Sequence, residues 1–387
     1  MSKWKWPATL YLGIVLITAL PFFAKRFAEG FLWPWAAYAF AILILLIATE
    51  RLDLRKYKIA NSNLPWLSGA FILATLNFVL YPLTRTAAHP STAPNALIDP
   101  AVAFFEGQHP YAVTLFDGAP ISPGPGWIIL NAPITLTGMI FALIPVYMGI
   151  ACYAVSRIEA WRGNALVLFL VPSICFLQMN VVAHDLLGFS LAGVALTIAA
   201  HQQRNNMLVI TLIAILSGIV ATARLPFFLF PVAIATCLFR TDRAKALVFA
   251  TVAVSVLIAI HGIFYLWADR LSLFYQPAHV FGRAANSQSP AQFIVVIALW
   301  IVISIYMWLR TDSSLSSWFL FVWAILFVPF ATIGFAELFR GSELSINDIA
   351  NWEGKGYVYF TVPFLAAALV LLVRDRQGQL DIKLVED

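Results

Sequence analysis

Residues 31–49 read FLWPWAAYAFAILILLIAT, a run without a charge that closes at Glu50 and Arg51. A helix that crosses a bilayer needs roughly 20 consecutive apolar residues, and this run supplies them. Comparable runs fall at 8–23, 65–83, 127–155, 165–180, 183–201, 207–223, 225–239, 246–267, 291–309, 316–336 and 358–373. Charged, Pro-rich or Gly-rich punctuation bounds each one. The run at 127–155 is too long for one simple span. It predicts a short dipping helix to about Pro133 and then a span, whereas 225–239 is short for a crossing. The pattern predicts an all-α, polytopic transmembrane helical bundle of about 12 spans. It forms a single integral membrane domain over 1–387, with short interfacial helices in its outer loops.

Composition excludes the other classes. Of 387 residues, 61% are hydrophobic and 11% charged, against roughly 25% charged in an average soluble domain. Mean hydropathy is +0.85. A β-barrel would show short alternating segments, and these runs are long and unbroken. The net charge of +5 does not indicate nucleic acid, because the basic residues sit in short loops beside apolar runs. The cysteines Cys152, Cys175 and Cys237 all lie inside apolar runs. They read as buried hydrophobes, neither a disulfide framework nor a zinc site.

Charge asymmetry sets an orientation. With a cytoplasmic N-terminus, the inner loops collect 16 of the 24 basic residues, including the cluster Arg51, Arg55, Lys56 and Lys58. Cytoplasmic loops carry such an excess. Both termini are then cytoplasmic. The first run follows Lys3 and Lys5, but no small-residue cleavage site follows it, so it is read as a span. Residues 1–64 form an N-terminal hairpin and a cytoplasmic loop. The longer segments 84–126, 267–290 and 337–357 then share the extracytoplasmic side, where long loops tend to carry function.

The first of these is the most informative. Asp99-Pro100 reads as an N-cap with Pro at the first helical position, and Gly107 as the stop of a short amphipathic helix. Phe104 and Phe105 can dip into the interface. The phrase Gly107-Gln108-His109-Pro110-Tyr111 follows, and then the turn-rich run Asp117–Gly126 leading into Trp127.

An acidic residue, a short helix, Gly-x-x-Pro-Tyr and a Pro-rich stretch before a span resemble the first outer loop of the multi-spanning GT-C glycosyltransferases. The likeness is strongest to the polyprenol-phosphate-mannose-dependent branch and covers about 35 residues closely. It implies transfer of a sugar from a polyprenyl-phosphate donor to a glycan or lipid acceptor at the extracytoplasmic face of the bilayer, without a cofactor. It also implies polar residues at the outer ends of later helices. Here those are His184-Asp185, Ala223-Arg224 and Lys355-Gly356-Tyr357. One departure is that the loop follows the third run, where the family's catalytic loop usually follows the first span.

Such a transfer needs a carboxylate to take the acceptor's proton and cations to meet the departing phosphate. Asp99 is the candidate base, and it reads equally as a plain helix cap. Glu106 is the second candidate and otherwise a solvated helix-end charge. Asp185, with His184, is either functional or a helix cap. For the phosphate, Arg224 comes first, then Lys355, with Arg283 and Arg340 in reserve. Guanidinium suits phosphate, while snorkelling to headgroups is the plainer role. His109, Tyr111 and Tyr357 are candidates to line the sugar or acceptor site. No compact metal-ligand cluster is visible.

Two other functions compete. Arg270, His279 and Arg283 give some footing to an O-antigen ligase or polymerase-like enzyme. A secondary transporter would want ionisable groups or broken helices at midspan. His261 is the main midspan ionisable residue, and no internal repeat is visible.

Overall fold

The computed structural model describes residues 5–51, 54–86, 91–267, 290–338, 345–352 and 354–373. Among them there are helices and no strands, apart from an isolated bridge between Thr114 and Pro120. Long apolar runs become helices because lipid offers the backbone no hydrogen-bond partner, so each segment must satisfy its own N–H and C=O groups.

The chain begins with a hairpin, α1 (Lys5–Phe27) and α2 (Leu32–Arg51), followed by α3 (Leu64–Arg85). The short α4 (Asn95–Phe105) lies in the loop beyond it. Next come α5 (Pro125–Leu136), α6 (Leu143–Ser156), α7 (Ala160–Leu170) and α8 (Ile174–Val181). Then follow α9 (Asp185–Gln202), α10 (Met207–Ala221), α11 (Leu229–Phe239) and α12 (Arg243–Trp267). The remaining elements are α13 (Pro290–Arg310), α14 (Leu315–Leu338), α15 (Ile346–Ala350) and the terminal segment α16 (Lys355–Val373).

Among the described residues, six helices are long and apolar enough to cross a membrane, or up to eight if two bent pairs each count as one span, with shorter apolar helices beside them, against the expected count of about twelve. α10 has 15 residues, about 22 Å at 1.5 Å per residue, short of a hydrocarbon core of about 30 Å. The 127–155 run does break, but at Gly138 and not near Pro133. There α5 meets the following helical stretch at 116°.

Burial separates the helices. In α16, 94% of the apolar window is buried, whereas in α3 only 11% is. The outward side chains of α3 include Phe71, Ile72, Phe78 and Val79, and those of α13 include Ile294, Val295 and Val302. Apolar surface on this scale is not left against water by a soluble monomer. α16 is therefore the core, and α2, α3, α12 and α13 carry the lipid-facing surface.

Three helices end in the same way. The N–H three residues past the end of α4, α5 and α8 reaches back to a carbonyl five residues earlier: Gln108 to Ala103 at 2.8 Å, Met139 to Ile134 at 3.0 Å and His184 to Met179 at 2.9 Å. The residue before each of these is left-handed: Gly107 (φ 78°), Gly138 (φ 72°) and Ala183 (φ 48°). Glycine takes this conformation without penalty. Ala183 takes it against its own β-carbon, fully buried, immediately before His184.

Candidate functional site

The turn at Ala183 delivers His184 as the N-cap of α9, where its ring accepts from Leu186 N at 3.4 Å. Asp185 is the first residue of α9, with its side chain only 2% exposed. An isolated carboxylate in that position would be strongly destabilising. It is matched by Arg224, whose Nη2 donates to Oδ1 at 2.9 Å and to Oδ2 at 2.8 Å. His184 Nδ1 lies 3.3 Å from the same Oδ1. Arg224 sits in extended backbone just beyond α10, and its Nε is buried without a hydrogen-bond partner.

The Pro/Gly-rich end of the first long loop docks on the turn that carries Arg224. Gly124 N donates to Ala223 O at 3.2 Å, and Trp127 N donates to Thr222 Oγ1 at 2.8 Å. A β-carbon on Gly124 would stand 1.8 Å from Thr222 O, and one on Gly126 would stand 2.8 Å from Thr222 Oγ1. Only glycine permits this approach of backbone to backbone. Tyr111 fastens the loop further, its hydroxyl donating to Pro123 O at 2.8 Å. Burial pushes that hydroxyl well above its ordinary value, and the nearby Arg224 charge opposes the shift.

The entry to α16 passes the same place. Nε2 of His184 lies 3.8 Å from where a β-carbon of Gly356 would be. Lys355 begins this helix half-buried, and Tyr357 stacks on Phe330 with ring centroids 6.1 Å apart. His184, Asp185, Arg224, Tyr111 and the Lys355–Tyr357 entry thus converge at one end of the bundle. The opposite end of α9 carries His201, which meets Ser313 O at 2.9 Å and Arg204 at 3.2 Å.

Asp99 is not a helix cap. α4 starts four residues earlier, because Pro94 holds a helical φ of −66° and accepts from Leu97 N and Ile98 N. Asp99 therefore lies within the helix, half-buried, with each carboxylate oxygen accepting from Asn95 Nδ2 at 3.0 Å. Among the described residues it makes no ion pair. Glu106 is exposed at the end of α4. His109 Nε2 meets Phe264 O, a carbonyl in the last described turn of α12, at 3.0 Å. Its ring packs on Trp267 with centroids 5.0 Å apart. Arg283, Arg340, Arg270 and His279 lie outside the described residues.

Sequence reasoning missed Asn77. Its amide donates to Phe141 O at 2.9 Å and to Asn180 Oδ1 at 3.0 Å, and Asn180 Nδ2 returns a bond to Asn77 Oδ1 at 2.8 Å. This amide pair ties α3 to both bent helix pairs. A lone amide inside an apolar run was the available signal.

The cluster offers a fixed guanidinium with donor capacity left over, and a carboxylate that already holds it. Asp185 is a weak proton acceptor in that pairing. Among the described residues, no group of three or more His, Cys, Asp or Glu gathers as metal ligands. No family model, curated protein or solved structure matches this chain.

Proposed function

We propose that this chain is a GT-C-type glycosyltransferase that moves a sugar from a polyprenyl-phosphate donor to a glycan or lipid acceptor, with inversion. The reading keeps the Asp185 end of the bundle extracytoplasmic, in a bacterial inner membrane with both termini cytoplasmic. The basic residues Arg204, Arg240, Arg243, Lys245 and Arg310 at the opposite end support that orientation. The observation that carries the proposal is Arg224. A buried guanidinium held by one nitrogen, with Nε unpartnered, suits the oxygens of a lipid-borne phosphate.

In this mechanism the acceptor oxygen attacks the anomeric carbon as the bond from that carbon to the phosphate oxygen breaks. The acceptor's proton passes to Asp99. The negative charge gathering on the phosphate meets Arg224 and Lys355. Asp99 is preferred to Asp185 as the base because the latter is spent on Arg224.

The test is transfer from a radiolabelled polyprenyl-phosphate sugar by purified protein in lipid vesicles. Asp99→Asn is expected to abolish transfer without loss of folded protein, and Arg224→Ala to abolish it together with the stability of the Asp185 pair. Wild-type transfer by Asp99→Asn would end the assignment of the base, and no transfer from any such donor would end the proposal.

A secondary transporter is the second reading, favoured by the two bent helix pairs, at 116° and 91°. Discontinuous helices build transporter sites, although those sit in corresponding positions of two repeats and these pairs are adjacent in the chain. Solute flux in liposomes without any lipid-linked donor would favour it.

A further inference from the structure

The bend between α7 and α8, 91°, frees carbonyls at the end of one helix and N–H groups at the start of the next. Local groups satisfy some of them. Val171 N reaches Val167 O at 2.9 Å, Ser173 N reaches Leu170 O at 3.1 Å, and Ser173 Oγ accepts from Phe176 N at 3.4 Å. Two carbonyls at the joint are met from the N-terminal hairpin. The Tyr11 hydroxyl of α1 donates to Phe169 O. The Tyr38 hydroxyl of α2 donates to Pro172 O at 3.2 Å and accepts from Ile174 N at 3.3 Å. The hairpin itself is tied by Trp35 Nε1, which donates to Leu16 O at 3.0 Å.

We infer that the α1–α2 hairpin is a brace: Tyr11 and Tyr38 are positioning residues that fix the α7–α8 bend and, through α8, the placement of His184 and Asp185. The link is short. α8 has eight residues, and the left-handed turn at Ala183 joins it directly to the N-cap of α9. The two hydroxyls hold both sides of one joint, since Tyr38 contacts Pro172 before it and Ile174 after it. The inference does not rest on the sugar-transfer reading, because it concerns the geometry of the joint and not the chemistry at the site.

The chain carries its own reporters. Cys152, Cys175 and Cys237 are all free and buried, and only Cys175 lies at the joint, as the second residue of α8. The experiment compares alkylation of the three thiols by N-ethylmaleimide in vesicles, read peptide by peptide by mass spectrometry. In Tyr11→Phe and Tyr38→Phe, Cys175 is expected to react about tenfold faster, the scale of one lost buried hydrogen bond, with Cys152 and Cys237 unchanged. Tyr153→Phe, on the outer surface of α6, is expected to change nothing. Tyr38 is the less buried of the two, so Tyr38→Phe carries the test alone if Tyr11→Phe does not fold. A Cys175 rate equal to wild type would overturn the inference. A parallel rise of all three thiols would also overturn it, since the hydroxyls would then hold the whole fold and not this bend.

Discussion

Arg224 holds Asp185 through one nitrogen. Both carboxylate oxygens accept from Nη2, at 2.9 and 2.8 Å, where a forked pairing would use two nitrogens. Nε takes no part in the pair and has no hydrogen-bond partner. The side chain is 15% exposed against 2% for its partner, so the arginine is the member that a ligand can reach.

Breaking this pair from either side should be costly. Asp185→Asn leaves a guanidinium without its counter-charge, and Arg224→Gln leaves a carboxylate buried alone. Each single change is expected to cost about 3 kcal/mol, the low end for a buried pair because Arg224 retains some access to solvent. The double variant should cost less than the sum of the two. Thermal unfolding in detergent measures all three, and strict additivity would show that the pair carries no coupling.

A phosphate bound at Arg224 should stabilise the folded chain by mass action. At a hundredfold excess over its dissociation constant, a polyprenyl phosphate would add about 2.7 kcal/mol and raise the unfolding temperature. Arg224→Met should lose the shift. An equal shift in both proteins would place the lipid elsewhere.

The contact between Gly124 and Thr222 is backbone against backbone, and a flexible side chain cannot relieve it. Gly124→Ala puts a methyl 1.8 Å from Thr222 O and should separate the loop from the Arg224 turn. The expected loss is at least about 2 kcal/mol, in the range of overpacked sites. Gly69→Ala is the control, since its methyl would meet Val167 at an ordinary 3.6 Å. Similar unfolding temperatures for the two variants would refute the docking.

Tyr359 should behave in the opposite sense to Tyr38. Its hydroxyl is buried beside Ser173 and Cys175, where no partner meets it at ordinary hydrogen-bond distance and angle. Removing an unmet buried polar group is neutral or favourable, whereas removing the partner of a buried carbonyl is not. Tyr359→Phe is therefore expected to hold or raise the unfolding temperature, and Tyr38→Phe to lower it. Matching losses would mean that Tyr359 has a partner in the membrane.

Different physics governed what could be read in advance. The helical membrane character followed from composition, and Gly107 stopped α4 because its backbone requirement is local. The number of crossings is less legible, because an apolar run does not disclose whether 15 residues or 20 will stay straight. Asp99-Pro100 matched a cap pattern, yet Pro94 does that work, since either proline has the fixed φ that starts a helix. No acid stands within ten residues of Arg224 in the sequence, and its partner Asp185 is 39 away. The Asn77–Asn180 pair, 103 residues apart, is a tertiary contact of the same kind.

That amide pair supplies a last test. Both residues are fully buried, and each amide donates to the other while Asn77 also meets Phe141 O. Asn77→Leu strands the Asn180 side chain and the Phe141 carbonyl together, so it should cost about 2–6 kcal/mol at about 1–3 kcal/mol per unmet group. Adding Asn180→Leu removes one stranded amide, and part of the loss should return. The cycle separates a hydrogen-bonded clamp from simple packing, because leucine keeps asparagine's branching but is bulkier, so two leucines would disturb a packing contact twice. If the double variant is less stable than Asn77→Leu alone, the two amides do not act as a unit, and the bent helices are held together by their apolar faces.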